Sequence, residues 1–453
     1  RGPETVVFLE NPQEEQLVQG STMVSTSLAG VLGTGTVEDL GKTRVLQGSP
    51  QMRALIRAGQ ELAVHRPLQD LFQVIMDLSV EAVGAGRGVL MTLEGKDLVV
   101  RAARGSGFQI SSAVRDRVLR EKASLLVRDA LLDQAFKERM SIVEQKVRSM
   151  LAVPLQTNDR VIGLIYLDSP HFIREFTPED LSLLTVMANV AAIRIEHARL
   201  AEIEQAERVM ARDMEQAALI QRGLLPAAAP SLPGLDIAGH NASCRTVGGD
   251  YYDFLTYADG RVAILVADVA GKGMPAALLM SSLQARAQVI FEEPDDLAAR
   301  VAKLNRVVST KIPDNRFITF FICVVDPRTG ELAYSNAGHN PPLLVRRDGR
   351  VEQLSDGGLI LGILPAAIYR ESRSRLEEGD IVVMFSDGVT EAPRVDSDEE
   401  FGEQRLAELV WKHRDASAAG IVHQVIEAVA AFTGGSLSDD LTVVVVRRVP
   451  FVS

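Results

Sequence analysis

Four short acidic stretches in the second half of the chain carry the residue types that phosphoryl chemistry needs. They are Val247-Gly248-Gly249-Asp250-Tyr251-Tyr252-Asp253, Ala267-Asp268-Val269-Ala270-Gly271-Lys272-Gly273, Ser386-Asp387-Gly388-Val389-Thr390-Glu391 and Ser438-Asp439-Asp440-Leu441-Thr442. The runs Arg261–Val266, Ile381–Phe385 and Val443–Val446 beside them are short, apolar and rich in β-branched residues, so they read as buried strands. An Asp at the end of a buried strand is held rigidly at the rim of a sheet. Four such rims can converge even with about 190 residues between the first and last. Carboxylates with no His or Cys cluster beside them select hard, oxygen-binding cations, magnesium or manganese, over zinc. Two such ions about 3.5–4 Å apart share a water, lower its pKa and neutralise phosphoryl oxygens. Gly248, Gly249 and Gly271 let backbone approach such a centre closely. Any one of these motifs alone reads as an ordinary turn or cap. Four in one domain, each adjoining a strand, read as a site.

The elements that must position these residues belong to a chain of ordinary globular make-up. Its 453 residues suggest about three domains, and 46% hydrophobic with 24% charged residues supply sizeable cores. The net charge of −12, with no long Lys/Arg block, argues against nucleic acid as a partner. Two separated cysteines, Cys244 and Cys323, do not make a disulfide scaffold and point to a reducing, cytoplasmic setting. No apolar run approaches the roughly 18–20 residues that span a bilayer, and no signal-peptide core is seen, so no membrane association is expected. The chain begins at Arg1 and not at Met, and is expected to be a piece of a longer protein.

Residues 1–49, with scattered Gly, Ser and Thr, read as a linker or interdomain segment in which Thr5–Leu9 could add a strand to a neighbouring sheet. Residues 50–195 change character. Met52–Val64 and Leu68–Val83 carry apolar residues at helical spacing; Gly88–Leu93 with Leu98–Arg104, and Met150–Leu155 with Val161–Asp168, read as strand pairs. Thr177 caps a helix opened by Pro178. The stretches Arg148–Leu155, Val161–Asp168 and Phe176–Ala192 resemble the GAF sensor family. That resemblance implies a small ligand, such as a cyclic nucleotide, tetrapyrrole or haem. The absence of Cys from 50–195 excludes a tetrapyrrole bound to a cysteine there, and His65, His171 and His197 are weak ligand candidates, since a lone His is more often packed or solvated.

Residues 196–229 read as a helical linker. Leu200, Ile203, Ala206, Met210, Met214, Ala217 and Leu224 recur at steps of three, four or seven, as in a coiled-coil seam, and a homodimer through residues 196–225 is expected. Pro226 ends the helix.

The domain from residue 230 to 453 resembles the metal-dependent PPM-type serine/threonine phosphatases, in the bacterial branch of the stage II sporulation and stress-response phosphatases. The resemblance is carried by Gly-Gly-Asp-Tyr-Tyr-Asp (248–253), Asp-Val-Ala-Gly-Lys-Gly (268–273), Asn-Ala-Gly-His-Asn-Pro-Pro (336–342), Ser-Asp-Gly-Val-Thr-Glu (386–391) and Asp-Asp-Leu-Thr (439–442). It implies a fold class of α+β: a GAF-like domain, a coiled-coil linker and a four-layer αββα sandwich. It further implies two manganese or magnesium ions, Asp250 bridging both, Asp268 and the Val269 carbonyl holding one, and Asp387 and Asp439 the other, with Asp440 as the alternative to Asp439. Asp253 is expected to orient water or support the ligands. Lys272 could steer a phosphate to the helix after Pro275 or simply be solvated. His339 and Asn340 could line the substrate groove, or His339 could serve as an acid or pack its turn. Arg245 is the nearest candidate for a phosphate-binding arginine. The implied substrate is a phosphoserine or phosphothreonine on an anti-sigma-factor antagonist, in a partner-switching pathway controlled by the GAF domain. A non-catalytic scaffold on a degraded phosphatase fold is the rival, which the survival of all four carboxylate motifs disfavours; a GAF receptor for a small ligand is the third reading.

Overall fold

A computed structural model describes residues 6–9, 23–32, 50–64, 66–128, 147–158, 160–170, 175–293, 296–313, 315–395 and 397–451. The chain divides into two compact units, Arg1–Arg208 and Val209–Ser453.

The first unit is built on a six-stranded antiparallel sheet. Its order is Met23–Thr26, Ser124–Val127, Val147–Gln156, Val161–Pro170, Arg87–Glu94, Asp97–Arg104. One face packs against the helices Pro50–Ala63 and Leu68–Val83 and the first turns of a third, through Leu71, Ile75, Leu151, Ile165, Leu184 and Ala188. The other face meets the Ser112–Arg120 helix through Val89, Met91, Phe108, Val114 and Val118. The expected strand pairs and both early helices form where their periodicity places them. Within residues 1–49 the strand expected at Thr5–Leu9 forms over Val7–Leu9, and a second strand, not expected, lies at Met23–Thr26. Val7–Leu9 pairs in parallel with Gln109–Ser111, and Met23–Thr26 joins the main sheet. Val24 and Thr26 are β-branched, which suits an edge strand, and the intervening Gly/Ser content hid that signal. His65 and His171 lie outside the described residues; His197 is exposed.

The expected helix after Thr177 and the expected linker helix are one element, Pro178–Arg222. Asp180 accepts from the Thr177 backbone N–H (3.0 Å) while Thr177 Oγ1 accepts from the Asp180 N–H (3.2 Å), a reciprocal cap at its start. By length and composition alone it is the one described helix that could cross a membrane, but half of its most apolar stretch is buried. Leu181, Leu184, Met187, Ala191 and Ile195 of that stretch belong to the first unit's core, as expected of a core helix.

The second unit is a sandwich of two sheets between two pairs of helices. One sheet orders Tyr251–Thr256, Val262–Val269, Ile318–Val325, Glu331–Ala337, with short pairings by Gly357–Gly358 and Ser372–Arg375. The other orders Val351–Gln353, Leu343–Val345, Ile381–Phe385, Leu441–Arg448, Leu235–Ala242. The two-residue alternation of each strand builds the layers. Ala263, Leu265 and Ala267 face the helices Met274–Ile290 and Leu297–Ser309. Val262, Ile264, Val266 and Phe321 of one sheet face Met384 and Val444 of the other across the gap between them. Val383, Phe385, Val443 and Val445 face the helices Glu403–Lys412 and Ala418–Thr433. This is the expected αββα order, with a core on each side of each sheet.

Candidate active site

Strand parity carries the acidic residues to one end of the gap between the sheets. Tyr252, Val262, Ile264, Val266, Met384, Val444 and Val446 all point into that gap. Continuing the same alternation by two residues places Asp250, Asp268, Ser386 and Thr442 on the gap side of their strands. Asp387 opens a short helix directly after Ile381–Phe385, and Asp439 and Asp440 directly precede Leu441–Arg448. Two sheets and four segments thus supply one cluster.

Hydrogen bonds fix its members. Asp250 is 3% exposed, and its Oδ2 accepts from Thr442 Oγ1 at 2.6 Å. Asp250 Oδ1 is buried with no partner. Ser386 Oγ donates to the Asp440 carbonyl (3.1 Å) and accepts from the Thr442 N–H (2.9 Å), tying the two strand ends together. Gly249 lies so close to the second motif that a Cβ there would stand 2.8 Å from the Val269 carbonyl oxygen. That crowding brings the Val269 carbonyl beside Asp250 and requires glycine.

The electrostatics are those of like charges held together. Burial, then the neighbouring Asp268 charge, pushes the Asp250 carboxyl well above the usual carboxylate range. Burial, then Asp387, Asp439 and Asp440, pushes Asp268 up to about 7. Asp387 is raised by burial, then by Asp439 and Glu391. Carboxylates this strongly opposed to ionising, one with an orphaned buried oxygen, suit hard divalent cations, and the donors are all oxygen. The residues present therefore fit the ions that the motifs imply.

Asp439 and Asp440 take different environments. Both Asp440 oxygens accept backbone N–H groups, Oδ1 from Cys244 (2.8 Å) and Oδ2 from Gly249 (2.6 Å), which clamps the first motif to the fourth. Asp439 is more exposed and pairs through Oδ2 with Lys272 at 2.8 Å. Cys244, Asp439 and Asp440 also bring ligand atoms within 4.8 Å of one another. Burial pushes the Cys244 thiol up to about 11, and Asp440 is already committed, so this trio is a weak metal site beside the four-segment cluster.

The remaining expected residues fall around the cluster. Asp253 accepts from Tyr251 Oη (2.7 Å), Gln288 Nε2 (3.2 Å) and the Phe254 N–H (2.8 Å), contacts that turn it toward the Met274–Ile290 helix. Lys272 donates to Asp439 and to the Ser438 carbonyl. His339 is 3% exposed, with Nδ1 at 2.8 Å from Thr319 Oγ1, the residue paired in register with Asp268. Burial pushes it down to about 4, so it is neutral at pH 7 and sits behind Asp268, within the fold. Asn340 is half-buried, and Arg245 is exposed beside Gly273, the N-cap of the Met274–Ile290 helix.

Two features escaped sequence reasoning. The hydroxyls of Ser386 and Thr442 were inside the motifs but carried no signal of their role. Gln221, in the last turn of the Pro178–Arg222 helix, is buried and grips both backbone groups of one residue: its Nε2 donates to the Gly248 carbonyl (2.7 Å) and its Oε1 accepts from the Gly248 N–H (3.1 Å). Ala217 and Ala218 pack beside it on Val247 and Ala277. Its place on a polar helix face gave no hint of this contact.

Comparison with known proteins agrees with these features. Residues 258–449 match the family described as Stage II sporulation protein E (SpoIIE), and residues 67–195 match the GAF domain. The chain is 32% identical over 278 residues to the phosphoserine phosphatase RsbU of Bacillus subtilis, covering 60% of this chain and 81% of that protein. It is 28% identical over 265 residues to the protein IcfG of Synechocystis, covering 52% of this chain and 41% of that protein. Among solved structures, the SiaA-PP2C domain of Pseudomonas aeruginosa is similar at 23% identity and a TM-score of 0.48, over 53% of this chain and 98% of that one.

The cluster has a pH signature. Asp268 titrates near 7 when folded and near 4 when unfolded. Without metal, its contribution to stability is fully present below about pH 4 and is lost as the pH rises through 7. Metal-free Asp268→Asn should therefore melt close to wild type at pH 4 and above it at pH 8 in calorimetry. Manganese should raise the wild-type melting temperature more at pH 8 than at pH 6, because binding displaces protons. A variant that melts below wild type at pH 8 without metal would contradict the repulsion described.

Proposed function

The chain belongs to the PPM-type serine/threonine phosphatases of the stage II sporulation and RsbU branch, and from that premise we propose the site residues, substrate and control of this enzyme. The observation that carries the proposal is the cluster of mutually repelling buried carboxylates with the unpartnered Asp250 Oδ1. Asp250, Asp268 with the Val269 carbonyl, Asp387 and Asp439 hold two manganese or magnesium ions. Asp439 is preferred over Asp440 because Asp440 is buried and clamps the Cys244 and Gly249 N–H groups of the first motif, whereas Asp439 is more exposed and is held by the adjacent Asp440 N–H and by Lys272. Such ions activate water for attack on phosphorus and neutralise the phosphoryl oxygens.

The chain's own groups do the rest. Thr442 orients Asp250, and Ser386 holds Thr442 and Asp440 together. Asp440 locks Gly249 against the fourth motif. Lys272 lies against Asp439, and Arg245 stands at the N-terminus of the Met274–Ile290 helix, where both can attract a phosphate. Neutral His339 supports Thr319 behind Asp268. The substrate is a phosphoserine or phosphothreonine on a signalling protein, an anti-sigma-factor antagonist, in the cytoplasm.

Control runs through the long helix. Leu200, Ile203 and Met210 are 55%, 46% and 64% exposed, an apolar stripe that suits a second copy in a coiled-coil homodimer. Gln221, at the helix end, holds the backbone of Gly248, just before Gly249 and Asp250. A GAF-borne signal that shifts this helix changes the grip on the first motif.

Phosphate release from a phosphoserine peptide should need manganese and stop in EDTA. Asp387→Asn should cut kcat/KM by roughly a hundredfold or more, as expected on losing a ligand worth several kcal/mol of charge stabilisation. Full activity in EDTA, or in Asp387→Asn, would refute the metal site.

The helix has its own test. Ser at Leu200, Ile203 and Met210 together should halve the solution mass by light scattering, while Gln221→Ala should alter manganese affinity and leave the mass unchanged. A wild-type monomer at high concentration removes the dimer, and unaltered manganese affinity removes the coupling.

A further inference from the structure

The second unit exposes a group of large apolar side chains beside the carboxylate cluster. Leu359, Ile363 and Leu364 are 54%, 54% and 48% exposed, Ile368 is 83% exposed, and Phe317 is 37% exposed. Contiguous exposed apolar surface on a protein unit marks an interaction site more often than chance placement does.

These side chains sit on a firmly held backbone. Leu361 is fully buried and exchanges two backbone hydrogen bonds with Ile318, at 3.0 and 2.9 Å. Asn305, also fully buried, accepts from the Gly362 N–H (3.0 Å) and donates to the Leu364 carbonyl (2.8 Å). Ala367 and Tyr369 anchor in the helix-side core, so Ile368 between them is turned outward. The segment is thus fixed from below and apolar above, as a preformed surface would be.

The patch is continuous with the site. Asp268 and Val269 pair in register with Thr319 and Ile318, and the Ala270 N–H donates to the Phe317 carbonyl at 3.0 Å. Phe317 therefore lies opposite Ala270, the residue after the metal-motif strand, and Leu361 adjoins its neighbour Ile318. On the far side, Arg306, Ala302, Pro365 and Ile368 line an open groove of about 550 Å³. Charge also sets this region apart. Residues 303–316 and 356–371 hold five basic residues, Lys303, Arg306, Lys311, Arg316 and Arg370, against three acidic ones, Asp314, Asp356 and Glu371, in a chain of net charge −12.

We propose that the surface formed by Phe317, Leu359, Ile363, Leu364 and Ile368 with its basic rim is where the phosphorylated protein substrate docks, through an apolar segment carrying acidic side chains near its phosphoserine. This deepens the phosphatase reading and rests on it. A protein substrate must cover the surface around its phosphoserine, because specific protein interfaces bury about 800 Å² per partner. The apolar surface adjoining the cluster is what it would cover. The apolar contacts supply affinity, and the basic rim selects acidic partners and speeds encounter.

The test uses the full chain with manganese and three substrates: p-nitrophenyl phosphate, a phosphoserine peptide flanked by Leu, Ile and Glu, and one of equal length flanked by Gly and Ser. Wild type should prefer the apolar–acidic peptide by about tenfold or more in kcat/KM. Ile363→Ser with Ile368→Ser should erase that preference through KM and leave p-nitrophenyl phosphate turnover and the melting temperature unchanged. The proposal fails if wild type treats both peptides alike, or if the variant slows all three substrates equally. It fails also if the variant changes the solution mass, which would make the patch a contact between copies. Absence of any phosphate release in wild type would sink the phosphatase reading and this surface with it.

Discussion

Burying several carboxylates within one another's field is the constraint on which the catalytic unit turns. Desolvation and mutual repulsion both oppose their ionisation, and Asp250, Asp268 and Asp387 are all raised for those two reasons. The fold accepts that cost through geometry. Strand alternation in two facing sheets sends Val266, Met384 and Val444 into the gap, and the residues that continue the alternation arrive at its end. The hydroxyls of Ser386 and Thr442 and the backbone clamp at Asp440 then hold the arrangement. A cluster fixed in this way is preorganised for cations, and its stability without metal is tied to pH.

Much of this was legible in the sequence because strand periodicity and acidic motifs coincide. The runs before Asp268 and Asp387 and after Asp440 are apolar and β-branched, so both the strands and the acids at their ends could be located. The hairpin at Arg87–Arg104 and the helix Leu68–Val83 were legible for the same reason. Less could be read where the decisive fact is a partner far away in sequence. Asp439 and Asp440 are adjacent and chemically identical, and partners distant in sequence distinguish them: the N–H groups of Cys244 and Gly249, about 190 residues upstream, hold Asp440, while Lys272 pairs with Asp439. Asp253 looked like part of the site, but parity puts it on the opposite face from Asp250, against Gln288. The strands Met23–Thr26 and Gln109–Ser111 are too short for periodicity to register.

One helix, Pro178–Arg222, runs from the first unit into the second. Its first turns belong to the core of the GAF unit, and its last turn holds the backbone of Gly248 beside Gly249. Between them, every residue from Arg199 to Asp213 is exposed. A stretch of helix with so little of its own fold to bury against is suited to a second helix, and a two-state pairing there would reach the first metal motif through Gln221. The surface proposed for substrate docking is another part of the second unit, where Ile363 and Ile368 stand on a backbone fixed by Asn305.

The central claim, that the four-segment cluster holds a pair of divalent cations, is tested most directly by manganese anomalous scattering from crystals of the full chain grown with manganese. The expected result is two peaks about 3.5–4 Å apart, with Asp250 touching both, Asp268 and the Val269 carbonyl on one and Asp387 and Asp439 on the other. No peak at Asp250, or a single peak confined to Cys244 and Asp440, would contradict it.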